Sequence, residues 1–187
     1  MKLYLASASP RRRKILKNFG ISFQIIKPDY HEKNHQHFLP SRLVMRHALG
    51  KALSAAGKIA HGRVLAADTL VYDRGRIIGK PKSIRHAVKI LSSIQGHWHW
   101  VYTGVAVLDV EKGEIKRKKV FYERTGICLP KTSRQWILEA FKKINPLDKA
   151  GAYALQSKGV NKGYRVKGSL LNAVGLPVEK LRKERIL

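Results

Sequence analysis

Leu3-Tyr4-Leu5-Ala6-Ser7-Ala8-Ser9-Pro10-Arg11-Arg12-Arg13 is a short apolar strand that passes through small residues into a helix. Ser9 suits an N-cap, and Pro10 suits the first helical position, where its missing N–H would have had no partner anyway. The residues predict a helix from Pro10 to about Phe19, closed by Gly20. Its first turn carries three arginines, where the macrodipole disfavours cations by about 0.3–1 kcal/mol each. Helix stability alone would select acids there. A small-residue loop feeding a helix N-terminus offers N–H groups to an anion, and arginine adds bidentate donors suited to phosphate. The stretch reads as a phosphate-binding loop, the alternative being a solvated basic helix start.

Working outward, Ser22–Lys27 alternates as a second strand, and Pro28 to Pro40 is a polar, His-rich loop. A helix is predicted from Ser41 to about Ile59, with Val44, Ala48, Ala52, Ala55 and Ile59 as its apolar stripe. Lys51 borders that stripe, either snorkelling off a packed face or reaching a phosphate. Arg63–Ala67 reads as a buried strand with Asp68-Thr69 at or just beyond its end, where α/β proteins place ligand chemistry. A carboxylate there must be paired, hydrogen-bonded or metal-bound, or else serve as a turn acid. Gly79 permits close backbone approach, and Pro81 keeps Lys80 extended. Ser83 caps a helix ending near Gln95-Gly96, and Trp98–Val110 with Ile115–Leu129 form a long hairpin. Thr132 or Ser133 caps another helix, ending near Ile144. A loop at Asp148–Gly151 leads to a strand Tyr153–Gln156, partnered by Gly163–Lys167, and Gly175-Leu176-Pro177 opens the last helix.

The 187 residues suffice for one sizeable core, so 1–187 is read as a single domain. No apolar run reaches membrane-spanning length and the N-terminus lacks signal-peptide regions, so a soluble cytoplasmic protein with no membrane partner is expected. Cys128 is the only cysteine, which excludes an internal disulfide and a cysteine zinc site. Thirty-eight Lys and Arg against 12 Asp and Glu give a formal charge of +26, a balance that favours polyanions. The basic residues are spread from Lys2 to Arg185 with no arginine-rich tail, so nucleic acid is kept as a secondary partner.

With so few acids, each can be asked its purpose. Asp73, Asp109, Glu111 and Glu114 belong to turns, Glu139, Glu179 and Glu184 have basic neighbours in predicted helices, and Glu123 sits in a charged strand. Asp29, Glu32, Asp68 and Asp148 remain as candidates for chemistry.

Ser7-Ala8-Ser9-Pro10-Arg11-Arg12, Ala67-Asp68-Thr69, Gly79-Lys80-Pro81, His99 to Val105, Asp148-Lys149-Ala150-Gly151-Ala152-Tyr153 and Gly175-Leu176-Pro177 occur in the order and at the spacings of the Maf (septum-formation) family. The chain resembles that family over nearly its whole length. The resemblance implies an α/β, inosine-triphosphatase-like fold, with an elongated mixed sheet flanked by helices and two lobes around a central cleft. It implies a nucleoside triphosphate pyrophosphatase that cuts between the α- and β-phosphates with a divalent metal cation, Mg2+ or Mn2+. Carried over by motif, Asp68 resembles the general base, Ser7 and Arg12 the loop's phosphate contacts, Lys51 and Lys80 the cleft lysines, and Glu32 the loop acid. Arg11, Thr69 and Gln156 fall on positions that mark the branch acting on dTTP and UTP. The expected partner is the nucleoside triphosphate, and a homodimer is compatible with the reading.

The chemistry agrees, since an attacking water needs a carboxylate base or metal ligand and the leaving pyrophosphate needs cations. Glu32 and Asp68 could together suffice for magnesium, which is held by one or two carboxylates plus substrate phosphates. Two departures stand out. His31-Glu32 replaces the family's Asp-Glu pair, beside His35 and His37, which are solvated loop residues or transition-metal ligands. The charge also exceeds what the family suggests. The other function carried forward is a nucleic-acid-associated or regulatory protein on the same fold with a vestigial cleft; an inosine or xanthosine triphosphatase is a third.

Overall fold

The computed structural model describes residues 1–32, 39–153, 155 and 163–187. Its frame is a seven-stranded mixed sheet of β1 (Leu3–Leu5), β2 (Gln24–Ile25), β3 (Gly62–Asp73), β4 (Arg76–Ile78), β5 (Trp98–Glu111), β6 (Glu114–Cys128) and β7 (Arg165–Lys167). The order is β2-β1-β3-β5-β6-β7, with β4 paired to β3. β1 runs parallel to β2 and β3; the other pairs are antiparallel. The helices are α1 (Pro10–Asn18), α2 (Pro40–Ala56), α3 (Ile84–Ser93), α4 (Arg134–Lys143), α5 (Leu170–Val174) and α6 (Val178–Lys183). The expected α/β class, mixed sheet and flanking helices are all present.

Period-2 alternation sorts the long strands onto two faces. On one face Leu5, Leu65, Ala67, Val105 and Val107 pack with Ile15, Leu16, Val178 and Leu181, while Val71, Val101 and Ile127 pack with Leu91, Ile137 and Tyr153. Between these two apolar clusters lies a polar seam of Thr69, Thr103, Thr125 and Asn172. On the other face Val64, Ala66, Ala106 and Leu108 receive the alanines of α2, Ala48, Ala52 and Ala55. Small residues let α2 come close. Its Val44 backbone lies so near β5 that a Cβ on Gly104 would stand 2.3 Å from the Val44 carbonyl carbon and oxygen.

Several local expectations are revised. Asp68 lies in the middle of β3, not at its end, because β3 continues past β1 and stays paired with β5 through Tyr72. Ser9 begins the helix, but its side chain makes no capping bond; its N–H instead donates to Ser7 Oγ at 3.2 Å. The second strand is reduced to an exposed pair, Gln24–Ile25, on the sheet edge. Tyr153 belongs to no strand, Ala154 and Gln156 lie outside the described residues, and β7 pairs with β6. The short α5, capped by Ser169, was not expected from the sequence. Ser83 and Ser133 cap as their positions predict.

Gly104→Ala should destabilise the protein by about 1–3 kcal/mol, because backbone cannot yield to the new methyl as a side chain would. Urea unfolding checks this: the midpoint falls while the slope is unchanged.

Candidate active site

A gap in one sheet edge positions the site. β1 pairs with β3 from Arg63 to Leu65, and β4 pairs with the same edge from Val71 to Asp73. The edge between them carries Asp68 at its centre, and the chain leaving β1 turns there into the Ser7–Pro10 loop. A cleft of about 1070 Å³ opens at this gap, lined among others by Arg11, Arg12, Glu32, Lys51, Asp68 and Lys80.

Arg12 is 8 % exposed, and its guanidinium is held on three sides. Nε donates to the Gly175 carbonyl at 2.8 Å, Nη1 to Ser7 Oγ at 3.1 Å and Nη2 to Thr69 Oγ1 at 3.0 Å. Burial lowers its pKa, an effect opposed by the Asp68 charge. Gly175 has φ +123°, which favours glycine, and a Cβ there would lie in contact with Thr69 Oγ1 at 3.4 Å. The proton directions of the seam follow from counting. Thr103 donates to the Asn172 carbonyl at 2.9 Å, so in its 3.0 Å bond with Thr69 it is Thr69 that donates. Ser7 Oγ already accepts from Ser9 and Arg12, so its own proton is left for an acceptor.

The second group is ionic. Lys51 Nζ lies 2.6 Å from Asp68 Oδ1 and 2.5 Å from Glu32 Oε1, so the two carboxylates already share one cation position. Burial disfavours the charged form of Glu32, but Lys51, His47 and Lys80 outweigh it and hold the carboxyl below its usual range. Two carboxylates converging on one position fit a magnesium or manganese ion, which takes oxygen ligands and completes its shell with phosphate and water. Among the described residues no cluster of three or more His, Cys, Asp or Glu could hold a metal.

The structure thus brings together Ser7, Arg12 and Thr69 in one hydrogen-bonded set and Glu32, Lys51 and Asp68 in another. Lys80 is exposed on the cleft wall. Arg11 lines the same cleft and Nη2 donates to the Asp148 carbonyl at 3.4 Å. Gln156, His35 and His37 lie outside the described residues, and His31 is exposed. Asp29 is exposed, and the Asp148 carboxylate pairs with Lys149.

Sequence reasoning missed the supporting shell. Tyr30 Oη lies 3.0 Å from His47 Nδ1, and the Tyr30 ring rests where a Cβ of Gly50 would be, which seats the Glu32 loop on α2. His47 lies one helical turn before Lys51, a spacing that could have suggested a shared face. Thr103 and Asn172 left no such signal, because only the strand register sets Thr103 opposite Thr69. Of the acids read as structural, Asp73 meets His97 at 2.9 Å and Asp109 meets Arg63 at 2.6 Å.

Lys51→Met should cost about 1.5–3 kcal/mol at pH 7, since buried Asp68 loses a charged hydrogen bond. A depressed carboxyl such as Glu32 contributes stability above its unfolded pKa and loses it as pH falls through the lower folded value. Urea unfolding should therefore show the gap between wild type and variant holding down to about pH 4.3, the unfolded value, and narrowing as pH falls below it.

The match to known proteins spans the chain. The family model described as Maf-like protein matches residues 2–184. A protein of Elusimicrobium minutum named dTTP/UTP pyrophosphatase is 42 % identical over 186 residues, covering 98 % of this chain and 96 % of its own. One of the same name from Caldicellulosiruptor bescii is 41 % identical over 184 residues, covering 96 % and 91 %. Among solved structures, the Ham1 protein of Staphylococcus aureus aligns over 69 % of this chain and 72 % of its own at 14 % identity, with a TM-score of 0.42. With a cation-lined cleft centred on Asp68 and relatives matched almost end to end, the chain belongs to the Maf-like protein family.

Proposed function

We propose that the protein is a nucleoside triphosphate pyrophosphatase that hydrolyses dTTP and UTP to the monophosphate and pyrophosphate. The observation that carries this reading is the convergence of Arg12, Lys51 and Lys80 on a cleft whose central acid is Asp68. Support for the pyrimidine substrates comes from the relatives' names.

In this mechanism the triphosphate enters along the cation-lined cleft and displaces Lys51 from its shared position toward phosphate oxygens. Arg12 is already oriented by Gly175, Ser7 and Thr69, so its remaining N–H groups meet the phosphates without rearrangement. Ser7 directs its free proton to a phosphate oxygen. Asp68 accepts a proton from the water that attacks the α-phosphorus; the new P–O bond forms as the bond to the α–β bridging oxygen breaks. Arg12, Lys51 and Lys80 stabilise the charge that grows on the departing pyrophosphate. Glu32 and Asp68 would hold the divalent cation, which polarises phosphate oxygens and lowers the pKa of a bound water. Base selection is assigned to Arg11, Thr69 and Gln156; Thr69 already donates to Thr103 and accepts from Arg12, so toward a base it can only accept.

A nucleotide panel assayed for pyrophosphate with magnesium, manganese and no metal tests the reading. dTTP and UTP should exceed CTP and the purine nucleotides, and stepwise release of orthophosphate would contradict it. Asp68→Asn should lower turnover by roughly 10²-fold or more. Arg12→Gln or Lys80→Gln should weaken turnover of every nucleotide alike, whereas Lys116→Gln and Lys183→Gln should do little.

A further inference from the structure

The sheet face that bears α2 continues beyond that helix. α2 covers it down to Gly104, and its first turns pack Leu43 and Val44 on Leu70, with Tyr72 and Tyr102 partly buried against that cluster. Past that point strand register places side chains together that are scattered in sequence. Trp98, Trp100 and Tyr102 of β5 point to this face, with Tyr72 of β3 opposite Trp100, Arg124 of β6 opposite Tyr102, and Tyr122 opposite Gly104. Arg165 and Lys167 of β7 continue the same rows across Cys128 and Gly126.

The three tyrosine rings meet in series, and the two indoles flank Gly126 beside them. Tyr72 meets Tyr102 edge-on at 6.2 Å between centroids, and Tyr102 lies 6.1 Å from Tyr122 at a 30° tilt. Gly126 lets both indoles lie across the sheet: a Cβ there would stand 3.2 Å from the Trp100 ring and 3.3 Å from that of Trp98. Each indole carries a cation, with Arg124 4.6 Å from the Trp100 centroid and Arg165 and Lys167 at 5.4 and 5.6 Å from that of Trp98. Tyr122 is 39 % exposed, Trp98, Trp100, Tyr102 and Tyr72 are half-buried, and the three cations reach solvent. None of the strand positions that build this face is acidic. The proposed hydrolysis uses none of these residues.

Rings that offer flat faces, interleaved with guanidinium and ammonium groups, match a polymer of bases joined by phosphates. Every base has a face to stack, on an aromatic ring or on a guanidinium plane, and each phosphate has a cation to meet. A second copy of this chain fits less well. A two-fold contact is self-complementary, so Arg124, Arg165 and Lys167 would be set against the same cations of a chain that is itself formally +26. The geometry points to a stacking platform for single-stranded nucleic acid on the β5–β6–β7 face, the bases lying on Trp98, Trp100, Tyr102 and Tyr122 and the phosphates meeting Arg124, Arg165 and Lys167.

The test measures binding of labelled oligomers of about 15 nucleotides, near the upper site size of one such platform, as single-stranded DNA, RNA of the same sequence, and the DNA duplex. Fluorescence anisotropy is read across a salt series. Single strands should bind at least tenfold tighter than the duplex, and the DNA and RNA arms identify the preferred sugar. Trp100→Ala should weaken single-strand binding by about tenfold or more, and Arg124→Gln should reduce the log–log salt slope by about 0.7, one phosphate contact. A Trp136→Phe background leaves Trp98 and Trp100 as the only indoles, and single strands should quench their emission even if Trp100→Ala does not fold. Equal affinity for duplex and single strands, with no effect of Arg124→Gln and no quenching, would reduce the binding to bulk charge and overturn the proposal. So would a wild-type dimer that Arg124→Gln converts to a monomer without changing oligomer binding, which would make the face a contact between copies.

Discussion

A buried guanidinium must be given acceptors, since an unpaired charge out of water is far more costly than any packing gain could offset. Arg12 obtains three, from Ser7 in its own loop, Thr69 on β3 and the carbonyl of Gly175 near the other end of the chain. That one side chain joins the first strand to the middle of the sheet and to the C-terminal segment. The seam from Thr69 through Thr103 to Asn172 and Thr125 continues it across three strands, and it separates the two apolar clusters on that face. The cleft lies at this polar layer because polar groups are already organised there.

The electrostatics of the cleft follow from a shortage of acids. Among strongly basic surroundings Asp68 and Glu32 are the carboxylates that converge, and they do so on the ammonium of Lys51. The lysine keeps two like charges together at the gap in the sheet edge, and a triphosphate would compete for that same lysine. Under the proposed function the site is arranged around charge that substrate would exchange at Lys51, whereas Arg12 is fixed by three hydrogen bonds to neutral protein groups.

The positive charge has two physical expressions. Within the cleft it is directed by hydrogen bonds and ion pairs at defined atoms. On the open sheet face it rides on aromatic rings, where cation and π-surface alternate. The remaining lysines, as along Lys116–Lys119, are mostly exposed and set the long-range field that attracts anions.

Motifs carried by local chemistry were legible in the sequence: the Ser7–Arg13 loop and its helix, the long hairpin, and the serine caps at Ser83 and Ser133, whereas Asp68 was one of four candidate acids. Each depends on backbone preferences or on residue type within a few positions. Tertiary structure decided what depends on register and closure. Asp68 is placed by where β1 stops and β4 begins, not by the end of its own strand. Thr103 becomes a partner of Thr69 only when β3 and β5 pair, and Gly175 meets Arg12 only when the chain's ends meet. The Tyr30–His47 contact needs the loop laid on α2, and the Trp98–Lys167 face needs three strands aligned. Sequence specifies which groups can bond, but a hydrogen bond a few ångströms long between residues a hundred positions apart is set by the fold that brings them together.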